Sequence, residues 1–230
     1  MLHNLQILAF EVGTNCDMCH EHIACPVNRH DRFQGKPYKL TVENIVETAN
    51  KAKDLGFSGY IAYHRYNSPT MYWSRVKPCI EALADFKHLL WDSGNILKEE
   101  MLPYFDCIHI SNYRGHNFSE WQAKYPEIEW HIRPVQLDDR LANNNWTNRI
   151  ERVVCNRPKH IELPIDHAGN IALCCYDWNA DHKLGNIFED DFTDIILNQY
   201  QEVCQQLAGG DNPPSICKRC PYPYKNTNLF

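Results

Sequence analysis

The stretch that decides the fold is LQILAFEVGTNCDMCHEHIAC, residues 5–25. It opens with a short apolar run, residues 5–10, of the kind that forms a buried strand. Three cysteines follow in a polar loop: Cys16, Cys19 and Cys25. Thiolates this close together can ligate one metal centre, and a set of three leaves a coordination position open, as catalytic centres do. We therefore expect a strand that leads into an open metal site.

One histidine leaves the type of metal open. His22 stands three residues after Cys19 and three before Cys25, and Pro26 follows. The run is similar to a ferredoxin-type motif in which a histidine takes one ligand place. It is equally similar to a compact zinc knuckle of three cysteines and a histidine. The spacing is compatible with both iron–sulfur and zinc chemistry.

Outward from this stretch, strand-like and helix-like segments alternate through the first 135 residues. Thr41 can cap a helix whose apolar residues recur at helical spacing, and Gly56 ends it. Further strands are predicted at residues 58–64, 88–91, 107–111 and 128–133. Further helices are predicted at residues 71–84, around Leu97 and after Ser119. This alternation predicts an α/β fold with a parallel sheet or an open barrel of about five strand–helix units.

The alternation stops at an Asn-rich stretch, residues 141–149, which predicts a linker and a domain boundary near residue 150. Beyond it, residues 161–165 and 171–175 predict the two strands of a β-hairpin. One helix is expected over residues 192–207, ended by Gly209 and Gly210. The chain thus divides into a larger unit, residues 1–150, and a small hairpin and helix unit, residues 151–230.

Composition argues against several protein classes. The chain has 230 residues, 43% of them apolar, and a formal net charge of −6. No apolar run approaches the roughly 20 residues that span a bilayer, so we expect no membrane partner. The acidic balance argues against a nucleic-acid partner, because such proteins carry a basic excess. The first residues lack the features of a secretory signal, which predicts a cytoplasmic protein. There, eleven cysteines indicate metal or redox chemistry rather than disulfides.

A second set of cysteines lies in the C-terminal unit. Cys155, one cysteine of the hairpin strand and the CxxC pair Cys217 and Cys220 together can supply four thiolates. Cys174 and Cys175 are strand neighbours and point to opposite faces, so one of the two is expected to be a ligand. The alternative is two buried thiols beside a zinc ribbon. Four cysteines stay outside both sets: the other hairpin cysteine, Cys204, and Cys79 and Cys107, which are most simply small buried hydrophobes.

These motifs resemble those of small radical S-adenosylmethionine (SAM) proteins that carry a C-terminal SPASM/twitch-type auxiliary iron–sulfur domain. That family places its first auxiliary ligands as a cysteine, a spacer, a glycine, four residues and a cysteine. Here thirteen residues separate Cys155 from Gly169, and four separate Gly169 from Cys174. The pair Cys217 and Cys220 resembles the later CxxC, and no cysteine follows it. The resemblance implies one auxiliary cluster, held by Cys155, Cys174, Cys217 and Cys220.

The N-terminal half resembles the barrel of the same family. GYIAYHRYNSP, residues 59–69, is similar to the strand with the family's Gly-Glu-Pro motif, and here Asn67, Ser68 and Pro69 fill its three places. Ser68 therefore replaces the acidic residue that holds the SAM amino group. LLWDSGNIL, residues 89–97, is similar to the strand that ends in Thr-Asn-Gly, and CIHIS, residues 107–111, to the next one. The cluster motif reads C-x2-C-x5-C, whereas the family's is C-x3-C-x2-C.

The resemblance implies a shortened partial TIM-like barrel followed by a small iron–sulfur module. It implies two [4Fe–4S] clusters, the first on Cys16, Cys19 and Cys25. SAM would be cleaved to a 5′-deoxyadenosyl radical that abstracts a hydrogen atom from a peptide, a protein side chain or a small natural-product intermediate. A flavodoxin- or ferredoxin-type reductant would supply the electron. Candidate SAM contacts are Asn67, Ser68, Ser93, Ser111 and Arg133, and candidate substrate contacts are His64 and Arg65.

Two other functions stay open at this point. The altered cysteine spacing and Ser68 favour a non-catalytic iron–sulfur electron carrier or scaffold. A zinc-stabilised binding protein would use Cys16, Cys19, His22 and Cys25 at one site and the four C-terminal cysteines at another.

Overall fold

The structure is a computed structural model that describes residues 1–22, 25–29, 38–135, 154–210 and 212–220. Its strands are β1 Ile7–Phe10, β2 Tyr60–Ala62, β3 Lys87–Asp92, β4 Cys107–Asn112, β5 Glu129–Pro134, β6 Glu162–Ile165, β7 Asn170–Ala172 and β8 Lys183–Asn186. Its α-helices are α1 Pro26–Arg29, α2 Val42–Asp54, α3 Trp73–Ala82, α4 Ser119–Lys124, α5 Arg157–His160, α6 Phe192–Ile195 and α7 Gln201–Gly209. A π-helical turn, Ile196–Tyr200, joins α6 to α7, and 3₁₀ helices cover Pro69–Tyr72, Glu99–Tyr104 and Cys217–Arg219.

The described strands form one sheet in the order β5-β4-β3-β2-β1-β6-β7-β8. Neighbours from β5 through β1 to β6 pair in parallel, whereas β7 pairs antiparallel with both β6 and β8. The predicted α/β fold with a parallel sheet and a C-terminal hairpin is therefore confirmed.

The hairpin is joined to the sheet in a way that its sequence did not predict. Its first strand, β6, also pairs in parallel with β1, with Ile7 opposite Glu162 and Phe10 opposite Ile165. Every residue of β6 is buried, as is typical of a parallel strand covered on both faces. A third antiparallel strand, β8, follows, and it was not predicted. The small unit thus continues the sheet at the edge of β1, on the side away from β2.

Local sequence signals explain where the helices begin and end. Thr41 caps α2, since its hydroxyl accepts a hydrogen bond from the Asn44 N–H. In return, the Thr41 N–H donates to the side-chain oxygen of Asn44. Gly56 follows at φ +92°, a conformation that glycine adopts without strain. The helix predicted over residues 71–84 is present as a 3₁₀ turn followed by α3. The C-terminal helical run reaches Gly209, and Gly210 ends it in the left-handed region, as expected.

The sheet buries both of its faces. On one face, Leu8, Phe10 and Ile61 share a core with Ile45 and Ala49 of α2. The opposite face, here called the inner face, is marked by a separate buried cluster: Ile7, Ala9, Ala62, Leu89 and Cys107. The alternation of side chains along each strand sends successive residues to opposite faces. In β1, the even-numbered residues therefore pack on the face that carries α2, and the odd-numbered residues lie on the inner face.

Two predictions concern parts of the chain that the structure does not describe. The linker over residues 141–149 and the boundary near residue 150 both lie outside the described residues. In the part that is described, no helix has the length and apolar character needed to cross a membrane.

Candidate functional site

The three N-terminal cysteines follow β1 in a segment here called the cysteine loop, the described part of residues 14–25. Cys19 is buried, and Cys16 and Cys25 are half-buried. The pKa of the Cys16 thiol is raised to about 12, chiefly by burial and further by Asp17 and by the thiols of Cys25 and Cys19. This mutual influence places the three sulfur atoms in one neighbourhood. A metal centre bound in this loop would oppose the rise in pKa, because its positive charge stabilises the thiolate form of the cysteines.

Asp17 fastens the cysteine loop to the end of β3. Its Oδ2 accepts from the Ser93 hydroxyl at 2.6 Å and from the Asn95 amide at 2.9 Å. Just beyond β2, the Ser68 N–H donates to the Asn15 carbonyl at 3.1 Å. The loop is thus held to the carboxyl ends of two neighbouring strands. His22 packs edge-on against Tyr113, with ring centroids 5.0 Å apart.

A buried carboxylate lies beside Ser68, where the sequence had suggested that an acidic residue was missing. Asp92 Oδ2 accepts from the hydroxyls of Ser68 and Thr70, each at 2.8 Å. Its Oδ1 accepts from the Gly94 N–H at 2.8 Å. Burial raises the pKa of Asp92, although these hydrogen bonds oppose the shift. Asp92 was not among the predicted site residues, although the sequence shows it as the acidic residue directly before Ser93.

The other predicted SAM contacts fall into two places. Asn67 is used within its own turn, because its amide donates to the Tyr63 carbonyl at 3.1 Å and accepts from the Arg65 N–H at 3.2 Å. Ser68 and Ser93 lie together at the cysteine loop. Ser111 accepts from the Trp91 indole at 3.4 Å, farther along the sheet edge. Arg133 is exposed and stands opposite Ser111 in register.

The two predicted substrate contacts face different parts of the molecule. The His64 ring lies 5.2 Å from the Trp91 ring, and burial lowers the pKa of its imidazole, which favours the neutral form. The Arg65 side chain is 1% exposed and points toward the C-terminal unit. Its Nη1 lies 3.9 Å from Asp166 Oδ2, and its Nη2 donates to the Asp177 carbonyl. Arg65 thus connects two parts of the fold, whereas His64 lies beside the inner-face aromatic ring.

The four predicted auxiliary ligands come together in the C-terminal unit. Burial raises the pKa of the Cys217 thiol, and the thiols of Cys174, Cys155 and Cys220 raise it further, in that order. Burial likewise raises the pKa of Cys174 to about 12, with a contribution from Cys220. One thiol that responds to three others shows that all four share one neighbourhood. None of the eleven cysteines, all of which the structure describes, forms a disulfide.

This segment also matches a known family. Residues 155–221 match the family model of SPASM, an iron-sulfur cluster-binding domain. Residues 155–221 are called the SPASM domain below, after the family model that they match. No curated protein matches the chain in sequence.

Solved radical SAM enzymes are similar in fold over 90–95% of this chain. BtrN in complex with AdoMet and 2-DOIA matches with a TM-score of 0.66 at 19% identity, over 90% of this chain and 88% of BtrN. Native anSMEcpe with bound AdoMet matches with a TM-score of 0.56 at 12% identity, over 95% and 87% of the two chains. Streptococcus suis SuiB bound to S-adenosylmethionine matches with a TM-score of 0.51 at 13% identity, over 95% and 71%. At these identities the likeness establishes the partial-barrel fold.

Buried carboxylates organise the loops of the SPASM domain. Asp177 is fully buried and accepts from three backbone N–H groups, those of Leu173, Asp181 and His182, at 3.4, 2.8 and 3.2 Å. Burial raises the pKa of Asp177, and the nearby Arg65 guanidinium opposes that rise. The loop that follows Cys174 is therefore closed around a polar centre, which fixes the direction of the cysteine at its start.

Cys175 stands apart from the four-thiol group. Arg157 Nη1 donates to its sulfur at 3.2 Å. Burial raises the pKa of the Cys175 thiol well above its usual range, and the Glu162 carboxylate adds to the rise. Cys204 has a thiol pKa raised to about 11 by burial and contacts Tyr200. These surroundings favour Cys174 as the hairpin ligand. The strand predicted over residues 171–175 ends at Ala172, so both cysteines lie in the turn after β7 and strand alternation does not distinguish them.

A short segment after β2, residues 64–68, connects the cysteine loop with the SPASM domain. Tyr66 donates its hydroxyl to the Cys175 carbonyl at 2.6 Å and its N–H to Glu11 Oε1 at 3.3 Å. Glu11 is fully buried at the end of β1 and accepts from the backbone and the ring of His167 at 3.2 and 3.0 Å. This bridging segment therefore hydrogen-bonds to both of the regions that carry cysteines.

Proposed function

We propose that the chain is a radical SAM enzyme that cleaves SAM and abstracts a hydrogen atom from a substrate. The observation that carries the proposal is the pairing of two cysteine groups through the bridging segment. Ser68 of that segment bonds to the cysteine loop, while Arg65 and Tyr66 bond to the SPASM domain. Cooperation between an open cluster and an auxiliary one needs such a rigid connection.

Cys16, Cys19 and Cys25 would hold the first [4Fe–4S] cluster and leave one iron for SAM. When bound and reduced, this group would supply one electron to SAM, which would break a C–S bond and give methionine and a 5′-deoxyadenosyl radical able to take a hydrogen atom from the substrate. The protein's part is to fix the loop and to exclude water. Asp17 provides the fixing, through its bonds to Ser93 and Asn95. The burial of Cys19 supports a site shielded from water.

For SAM itself, we assign contacts to Asn67, Ser68, Ser93, Ser111 and Arg133. We add Asp92, whose carboxylate lies 2.8 Å from the Ser68 hydroxyl. A buried negative charge at this position can receive the SAM amino group in place of the acidic residue that Ser68 replaces. Asn67 would act indirectly, since its amide already holds the turn at Tyr63.

Cys155, Cys174, Cys217 and Cys220 would hold the auxiliary cluster. Four protein ligands leave no iron open, so this cluster would relay an electron rather than bind substrate. A flavodoxin- or ferredoxin-type reductant would deliver the electron. We also propose that the chain has two domains, residues 1–150 and 151–230. The proposed location is the cytoplasm, where thiols stay reduced.

The substrate would be a peptide, a protein side chain or a small natural-product intermediate. Among the similar structures, BtrN is in complex with 2-DOIA, and anSMEcpe is bound to the Cp18Cys peptide, which supports a peptide substrate. His64, on the strand end next to Trp91, is the candidate substrate contact that lies nearest the inner face. Arg65 is the weaker candidate, because the SPASM domain already covers its side chain.

The test is anaerobic purification, with iron and sulfide counted and electronic and paramagnetic spectra recorded before SAM and a reductant are added. Two clusters and the release of 5′-deoxyadenosine are expected. A variant with Cys16, Cys19 and Cys25 all replaced by Ala should lose the cleavage and keep the auxiliary cluster. Cys79→Ala, a buried thiol in α3, is the matched control and should change neither.

Two outcomes would overturn the proposal. Two clusters without any SAM cleavage would identify an electron carrier. A colourless protein that contains zinc would identify a zinc-stabilised binding protein.

A further inference from the structure

A third group of metal-ligating side chains lies on the inner face, away from both cysteine groups. Cys107 and His109 stand two residues apart on β4, so they point to the same face. His131 on β5 is directly opposite His109 in register. One ligand atom from each of the three residues lies within 4.8 Å of the other two. In the described ranges no other three histidine, cysteine or acidic side chains have ligand atoms within 4.8 Å of one another. The thiols of the two cysteine groups are neighbours, but no three of them are this close.

Neighbouring side chains hold these ligands in position. His131 Nε2 is 2.7 Å from Glu129 Oε1, so Nε2 carries the proton toward the carboxylate and Nδ1 becomes the nitrogen that can face a metal. A carboxylate on the far nitrogen is the usual outer-shell partner of a metal-binding histidine. The rings of His109 and His131 are 4.3 Å apart between centroids, and Trp91 lies 4.9 Å from His109.

Burial separates this group from an ordinary surface cluster. Cys107 is completely buried and His109 is 2% exposed, while His131 is half-buried. The strand neighbour of Cys107 on β3 is the apolar Leu89. The group therefore begins at the end of the apolar inner face, and its more exposed side lies on β5, the edge strand of the sheet.

We propose that Cys107, His109 and His131 bind one divalent transition-metal ion, zinc or a close analogue. One thiolate and two imidazoles are ligands that zinc prefers and that magnesium and calcium do not. Tetrahedral coordination requires ligand atoms about 3.3–3.6 Å apart, so small side-chain rotations would close the group around the ion. Three protein ligands leave a fourth position for water or for an oxygen or nitrogen atom of a bound molecule.

This site is distinct from the iron–sulfur centres and does not depend on SAM cleavage. Its ligands come from β4 and β5, and no cysteine of the other two groups belongs to it. A Lewis acid on the inner face could orient an oxygen-containing ligand there.

The test uses the protein with both iron–sulfur clusters fully reconstituted, so that the seven cysteines of those groups are occupied. Cobalt(II) serves as the coloured probe, and zinc bound per chain is counted after desalting. The unaltered protein should bind one additional ion, with the absorption of a cobalt–thiolate bond. Cys107→Ser and His109→Gln should each weaken binding by at least about tenfold, and Glu129→Gln by about 10–100-fold.

Cys79→Ser is the matched control, because Cys79 is an equally buried thiol on α3, and it should leave the additional ion in place. Iron content measured on the same samples reports whether each variant has folded. Glu129→Gln alters an exposed side chain and keeps the proposal testable if Cys107→Ser does not fold. Binding that is unchanged in Glu129→Gln and in a folded His109→Gln would overturn the proposal. So would the absence of an additional ion in the unaltered protein.

Discussion

The cysteine loop and the SPASM domain hold their thiols in different ways. The loop places three cysteines within ten residues of sequence. Its own Asp17 fastens it to Ser93, directly after β3. The SPASM domain gathers four cysteines from separate segments around the buried carboxylate of Asp177. An open metal centre can thus be built from one loop tied down at few points. A closed one needs a folded unit, and that unit in turn depends on its metal.

The largest effect should come from removing one ligand on each side of this comparison. Cys174→Ala should lose about half of the iron and lower the free energy of unfolding by about 3 kcal/mol or more, because a closed metal site contributes folding energy. Cys16→Ala should also lose about half of the iron and abolish SAM cleavage. Its free energy of unfolding should stay within about 1 kcal/mol of the unaltered value. Anaerobic denaturant titration and iron analysis measure both, and equal destabilisation would erase the distinction.

The next effect concerns the polar centre of the SPASM domain. Asp177→Ala removes the buried acceptor of three backbone N–H groups, which should cost about 3 kcal/mol of unfolding free energy. Asp181→Ala is the control, since Asp181 is exposed and its own N–H would still reach Asp177. Denaturant midpoints compare the two variants. Similar midpoints would mean that the cluster, rather than Asp177, organises the loop.

A smaller effect is expected from freeing the cysteine loop. Asp17→Ala removes the acceptor of the Ser93 and Asn95 bonds, and we expect about tenfold weaker SAM binding, or about 1.4 kcal/mol. The iron of the SPASM domain should be unaffected. Glu21→Ala lies on the same loop and breaks a surface ion pair with Arg114, which contributes about 1 kcal/mol at most. Calorimetric titration with SAM provides the measurement, and a comparable loss in Glu21→Ala would show that any loop contact has this effect.

The smallest effect concerns β3, the strand to whose end the cysteine loop is fastened. Burial lowers the pKa of His88, whose two ring nitrogens are hydrogen-bonded to the Tyr63 hydroxyl and to the Leu83 carbonyl. Unfolded histidine takes up a proton below about pH 6.5, whereas folded His88 resists it, so its stabilisation is present above that pH and is lost on acidification. His88→Gln should therefore flatten the fall in stability toward pH 5 while SPASM iron is retained. An unchanged slope in this variant would assign the acid sensitivity to other groups.

Much of the secondary structure could be predicted because its signals are local. Thr41 and Gly56 bound α2 through contacts with residues only a few positions away. The spacing of Gly169 and Cys174 follows from one hairpin turn between β6 and β7, and Gly169 adopts φ +84° there. Such features depend on neighbours in the chain, which a single sequence displays.

The parts that were missed depend on which strands lie side by side. Asp92 is a candidate SAM contact only because β3 lies next to β2, which brings it to Ser68. Cys107 is buried as expected, but its histidine neighbour on β5 follows from the register of two strands. The order of strands places β6 beside β1 rather than after β5. No periodicity in the sequence reports such long-range pairing.

The pairing of β1 with β6 also affects how the chain is made. β1 leaves the ribosome early, but one of its two strand partners follows roughly 150 residues later. Until then β1 has an edge of unpaired N–H and C=O groups that can capture strands of other chains. Such long-range closure slows folding, because the loop entropy is lost before the contacts form. The newly made chain should therefore be most prone to aggregation just before its SPASM domain folds.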